Sequence, residues 1–172
     1  FAAHAERYSG IKNDSNLNKE MFEDMENYIT KTGRGGIDKV VYFENPYTKK
    51  LRQFMAGQYG EVFSRKNMPQ YHIDSVLGKG RYTIDEYVDH HLSHASSTYF
   101  TSPYTESAVV CIDAIGEFDT ISVWYAHGSK LEKRWSQTYP NSLGLWYSAM
   151  TQRLGLKPQE DEYILMGMAA WG

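Results

Sequence analysis

The stretch that most constrains the fold runs from residue 108 to 138. Ala108–Ile112 is an unbroken apolar run, it stops at Asp113, and Gly116 follows in a short polar break. Thr120–Tyr125 then reads as a return strand, His127-Gly128 as a second turn, and Leu131–Thr138 as a third strand. Strands in direct succession, separated only by turn residues, predict an antiparallel meander. A meander must bury its apolar face against something, and helical patterns flank it. Before it, Asp89 opens a helix carrying His90, His91, His94 and Ala95. After it, Ser142 caps a helix to about Leu154, with Leu143, Trp146, Met150 and Leu154 expected on its buried side. An apolar segment, Tyr163–Trp171, contains Gly167.

The first half reads less sharply. Residues 1–8 alternate loosely, as the end of a strand would. Asn18 is placed to cap a helix whose stripe is Met21, Phe22, Met25, Tyr28 and Ile29, stopped by Gly33, Gly35 and Gly36. Val40–Phe43 reads as a buried strand, Tyr47 to Gln58 as a short helix with a basic face, and Tyr82–Val88 as a strand. Gly60 to Gly80 has no strong period and reads as an excursion or lid. The order of elements predicts an α/β or α+β domain with a mixed sheet.

Composition narrows the function classes. A chain of 172 residues with 41% hydrophobic and 23% charged residues is long enough to bury one core. Its formal net charge is -3, with Lys and Arg dispersed, so no basic stripe for nucleic acid is built. No apolar run approaches the ~20 residues that cross a membrane. The single cysteine, Cys111, lies in the apolar 108–112 run, which excludes a disulfide framework and fits a buried thiol in a reducing compartment. These features suit a cytoplasmic protein. With no Met at position 1 and an apolar run at its end, the chain also reads as a piece of a longer one.

Four groups of residues can carry chemistry. On a helix, His90 and His94 share a face at i and i+4 and can point at one ion, and the helix start keeps imidazoles neutral, as ligation requires. The zinc-protease motif needs Glu after the first His, and His91 stands there. The same spacing fits a surface or buried histidine cluster. Asp113-Ala114-Ile115-Gly116-Glu117 places acids around a glycine turn at a strand end, a common way to hold phosphate-bound Mg²⁺, and also an ordinary hairpin. Lys12, in a polar loop, can bind phosphate as a point charge or stand solvated. Ser142-Leu143-Gly144 opens a helix whose free amides suit an anion, or is a plain N-cap.

Taken in order, AERYSGIKND (5–14), VDHHLSHASSTYFTSP (88–103), AVVCIDAIGEFDT (108–120), YPNSLGLWYSAMTQRLGL (139–156) and EYILMGMAAWG (162–172) resemble the carbamoyltransferases that include nodulation-factor and antibiotic O-carbamoyltransferases. The resemblance implies the N-terminal portion of an actin/Hsp70-like (ribonuclease H-like) ATPase fold with a mixed sheet, shared with the tRNA threonylcarbamoylation ATPase. It implies an enzyme that uses ATP and carbamoyl phosphate, through a carbamoyl adenylate, to carbamoylate a hydroxyl of a small molecule or glycan. The alternative is a non-catalytic nucleotide- or metal-binding module that kept the fold. Carried over, His90 and His94 match metal ligands for Fe or Zn, with the third protein ligand expected beyond Gly172. Lys12 matches a lysine at the reactive intermediate. Asp113, Gly116, Glu117, Ser142, Gly144 and Gly167 are read as nucleotide-binding, with Mg. Ala114, Ile164 and Ala170 depart from the family's usual Gly, Lys and Pro. The resemblance also implies that this chain alone does not transfer carbamoyl groups.

Overall fold

A computed structural model of the chain describes residues 2–11, 14, 16–33, 35–65 and 68–172. In order, the elements are α1 (Glu6–Ser9), α2 (Lys19–Lys31), β1 (Val41–Tyr42), α3 (Pro46–Met55), α4 (Tyr59–Val62), α5 (Pro69–Leu77), β2 (Glu86–Tyr87), α6 (His90–Phe100), β3 (Glu106–Ile112), β4 (Asp119–His127), β5 (Lys130–Thr138), α7 (Leu143–Arg153) and α8 (Glu162–Met168), closed by a 3-10 turn (Ala169–Trp171). They form two compact units, one of Phe1–Tyr42 with Gln53–Tyr87, the other of Phe43–Arg52 with Val88–Gly172. The class is mixed α/β, but with two small sheets instead of one mixed sheet: a parallel β1-β2 pair and an antiparallel β3-β4-β5 meander. No described helix is long and apolar enough to cross a membrane.

In the first unit, α2 forms as its cap and stripe require: Asn18 Oδ1 accepts from Glu20 N at 2.9 Å and Met21 N at 3.3 Å. Gly33, at φ 65°, takes the left-handed conformation that ends it. Three expectations are corrected. Residues 6–9 are a helical turn, not a strand, ended by Gly10 in the left-handed region. The 60–80 region holds α5, started by Pro69 in its first turn and burying Ile73 and Leu77. Val40–Phe43 and Tyr82–Val88 pair only across Val41↔Glu86 and Tyr42↔Tyr87, and Val41 is half exposed. Two-residue strands with no further neighbour cannot be buried on both faces, as the apolar reading of 40–43 required.

The second unit is built on the meander. β3 pairs with β4 from Glu106↔His127 to Ile112↔Ile121, and β4 with β5 from Asp119↔Thr138 to His127↔Lys130, with irregularities near Asp119 and Val123. β4 alternates strictly between buried and half-buried positions. Its inner face, with Val109 and Cys111 of β3, meets Ala95 and Tyr99 of α6, and Trp124 and Ala126 complete that core. Tyr99 donates its hydroxyl to Thr105 O at 2.7 Å, so this aromatic is satisfied at its polar end. Cys111 is buried there, and burial raises its thiol pKa.

The buried side of α7 is not the one expected. Leu143, Trp146 and Leu154 are each more than half exposed, whereas Ser148 and Thr151 are buried. Small residues decide this. Gly144 lies so close to the 113–114 backbone that a Cβ there would meet Ala114 Cα at 2.5 Å. Ser148, one turn on, donates to Glu162 Oε1 at 2.6 Å at the start of α8. The helix therefore docks by its smooth Gly144–Ser148–Thr151 side.

Candidate metal centre

α6 starts where β3 ends, and this juxtaposition makes the site. Asp89 Oδ1 caps α6 by accepting from Leu92 N at 2.9 Å, which sets the rotation of the helix. His90 and His94 then fall on one side. Their Nε2 atoms lie 3.1 Å apart. Asp113, just past β3, brings Oδ2 to 2.8 Å from His90 Nε2 and 3.6 Å from His94 Nε2. Bonds of about 2.0–2.2 Å to a shared ion, at tetrahedral or octahedral angles, would separate ligand atoms by roughly 2.8–3.6 Å. The donor set of two imidazoles and one carboxylate, all mutually within 4.8 Å, fits a divalent transition metal.

The electrostatics agree with a tightly coupled group. Hydrogen bonding to His90 holds the Asp113 carboxyl down at about 2, against the opposing effect of burial. The same bond raises the His90 imidazole, with burial again opposing. Without an ion, Nε2 of His90 must carry the proton that Asp113 accepts. Ligation through Nε2 needs that proton gone, and the neutral ring then carries its hydrogen on Nδ1, which is buried and has no hydrogen-bond partner among the described residues.

His91 points elsewhere. It is 1% exposed, and its Nδ1 is 2.7 Å from Ser122 Oγ, which also accepts from Trp124 Nε1 at 2.7 Å. Burial lowers its pKa, which favours the neutral ring. Next to it, Lys133 Nζ sits 2.7 Å from Asp119 and 3.7 Å from Asp89, and lies over the Trp124 ring at 5.0 Å.

Of the remaining residues singled out in the sequence, Asp113, Gly116 and Glu117 lie on one turn, and Ser142 and Gly144 pack against its start. Asp113 Oδ1 accepts from Ala114 N at 2.6 Å. Ser142 Oγ accepts from Leu145 N at 3.0 Å and donates to Ala114 O, so it caps α7 and grips the turn together. Glu117 is 8% exposed, and Oε1 accepts from the backbone N of Asn45, whose side chain in turn caps α3. Burial raises the Glu117 pKa. Gly144 lines an open hollow of about 470 Å³ with Ala114, Tyr147, Glu162 and Met166. Gly167 follows Met166 on α8, with nothing within 4 Å of where a Cβ would stand. Lys12 lies outside the described residues. Asp113 as a partner of both imidazoles was not foreseen. Its only sequence signal is an acid at a strand end, and spacing does not say which helix that end abuts.

The family model described as Carbamoyltransferase N-terminus matches residues 3–172. The chain belongs to that family. Among its relatives, nodulation protein NolNO of Sinorhizobium fredii is 40% identical over 88 residues, half of this chain and 12% of that protein. Nodulation protein NolO of Bradyrhizobium diazoefficiens is 34% identical over 85 residues, 49% of this chain and 15% of that protein. An uncharacterized Synechocystis protein is 48% identical over 84 residues, 49% of this chain and 14% of that protein. The chain thus spans a small part of the length of these curated relatives. As a carbamoyltransferase N-terminus, it carries the His90–His94–Asp113 group and the Gly-containing turn in one unit.

Proposed function

We propose that this chain is the N-terminal part of a metal-dependent O-carbamoyltransferase of actin/Hsp70-like architecture. It works in the cytoplasm with ATP, Mg and carbamoyl phosphate, and its acceptor is a hydroxylated small molecule or glycan. The observation that carries the reading is the convergence of His90, His94 and Asp113 within a chain matched along its length by the carbamoyltransferase family. A bound Fe or Zn would supply Lewis-acid polarisation of a carbonyl or phosphoryl oxygen. His90, His94 and Asp113 would hold it.

In the transfer step the acceptor hydroxyl attacks the carbonyl carbon of a carbamoyl adenylate. The new O–C bond forms, the bond from the carbonyl carbon to the phosphate oxygen breaks with its electron pair going to the leaving AMP, and the hydroxyl proton passes to solvent. The chain's own residues prepare the surroundings. The turn from Asp113 to Glu117 is held rigid at both ends, by Ser142 and by Asn45, so donors there meet developing charge without reorganising. Phosphate contacts fall to the Gly116 turn, the start of α7 at Ser142–Gly144, and Gly167. Lys12 supplies a cation to the reacting carbonyl.

The test uses the full-length protein with ATP, carbamoyl phosphate and a panel of polyhydroxylated acceptors. Acceptor-dependent release of AMP, lost in His94→Ala, is expected. AMP release equal in wild type and His94→Ala would end the metal-dependent reading. Tight ATP binding with no AMP release on any acceptor favours the non-catalytic module.

A further inference from the structure

Gly116 does not have a positive φ, so no left-handed conformation calls for glycine there. What calls for it is space. A Cβ at 116 would stand 2.9 Å from His91 Cδ2, 3.2 Å from His90 Cδ2 and 3.2 Å from the carbonyl oxygen of Asp119. Both imidazoles therefore rest against the bare Cα of one residue.

We propose that Gly116 is a positioning residue for the metal centre: its missing side chain is the seat of the His90 and His91 rings, and His91, anchored through Ser122, is the wall that holds His90 in place. The inference rests on the reading of His90, His94 and Asp113 as metal ligands.

The surroundings leave an added methyl few ways out. His91 cannot swing aside cheaply, since its buried ring is tied to Ser122 Oγ, which is tied to the buried indole of Trp124. The turn cannot simply back away either, because Gly116 N donates to Asp119 O at 2.9 Å. On its other side the His90 ring faces Phe43, with centroids 5.7 Å apart. What can yield is the His90 ring, because Ser142 holds the Asp113 end of the turn. Its displacement changes the 2.8 Å spacing between His90 Nε2 and Asp113 Oδ2. A supporting residue of this kind costs about 10–100-fold in metal affinity when changed.

The experiment titrates Co²⁺ into the full-length protein, reads the visible bands, and competes with Zn²⁺ for affinity. Gly116→Ala is expected to weaken Co²⁺ binding about 10–100-fold and to shift the bands. In a His91→Ala background the same methyl should cost much less, because its closest contact is gone. Ser122→Ala, which adds no volume, should also weaken binding by freeing the wall. Wild-type affinity and bands in Gly116→Ala overturn the inference, as does an equal loss in both His91 backgrounds. Should Gly116→Ala not fold by circular dichroism, Ser122→Ala decides, and wild-type Co²⁺ affinity there overturns the role of the wall. A wild-type chain that takes up no Co²⁺ defeats the metal reading itself and this inference with it. Unaltered binding in the variants of a chain that does take up Co²⁺ defeats the positioning role alone.

Discussion

The two units differ in what their helices pack on. In the second, α6 lies on a three-stranded sheet, and Ala95, Tyr99, Val109, Cys111, Trp124 and Ala126 close a continuous core beneath His90 and His94. In the first, α2 has no buried residue among those described. Its Phe22 and Met25 face a cavity of about 390 Å³ that Ile37, Val40, Ile73 and Tyr82 also line. Polar contacts of α2, such as Arg81 to Glu26 at 2.7 Å, are exposed and add little. A site that must hold three donor atoms to a few tenths of an ångström needs the first kind of support. His90, His94 and Asp113 sit accordingly.

The sharpest way to break this contrast is to cut each side. Trp124→Ala should destabilise the second unit by about 3–5 kcal/mol, as large aromatic truncations in closed cores do. Met25→Ala, which enlarges an existing cavity and removes few contacts, should cost about 1 kcal/mol or less. Urea denaturation followed separately by indole fluorescence and far-UV dichroism would compare them, and equal costs would erase the distinction.

Next in size is metal binding. His94→Ala should lower Zn²⁺ affinity by more than the roughly 100-fold that outer residues cost, about 2.7 kcal/mol. Isothermal titration would detect it. Retained affinity would mean that the two imidazoles do not share an ion.

The turn should be nearly as intolerant. Gly144→Ala pushes a methyl into the backbone of Asp113 and Ala114, with contacts of 2.5–2.8 Å. A cost of about 1–3 kcal/mol is expected from overpacking. A melting temperature unchanged from wild type would show that α7 can lift off the turn freely.

The smallest effect concerns pH. Asp113 is held at about 2 in the fold, below its usual 3.8, so its contribution to stability is full above that usual value and is lost as pH falls through about 2. His90, raised by the same bond, contributes below its ordinary 6.5 and loses that contribution as pH rises through its shifted value. Metal-free Asp113→Asn should flatten both limbs in pH-dependent melting. An unchanged profile would mean that the pair does not form in solution. In the metal-loaded chain the alkaline limb should reverse, because loss of the His90 proton frees Nε2 for the ion.

Much of the second unit was legible because its signals are local. The meander follows from strand-length runs and turns within 31 residues of one another, and Asp89 and Ser142 act as the caps their types predict. The site was half legible. The His90–His94 spacing is a property of one helix, but the arrival of Asp113 depends on where β3 ends against α6, which no periodicity encodes. Gly116 looked like a turn glycine, and its actual constraint comes from two rings 25 and 26 positions earlier in the chain. The apolar stripe of α7 misleads because close approach of small side chains at Gly144, Ser148 and Thr151, and not hydrophobicity, decides which side is buried.

The grip of Ser142 and Gly144 on the Asp113–Ala114 backbone has a mechanical corollary. Asp113 is not free to relax independently of α7, so the helix acts as a lever whose short arm ends at a donor atom of the triad. Work done on that lever and work done at the triad are exchangeable. Anything that tugs the start of α7 alters the hold on an ion by some factor, and ion uptake must alter the response of α7 by the same factor.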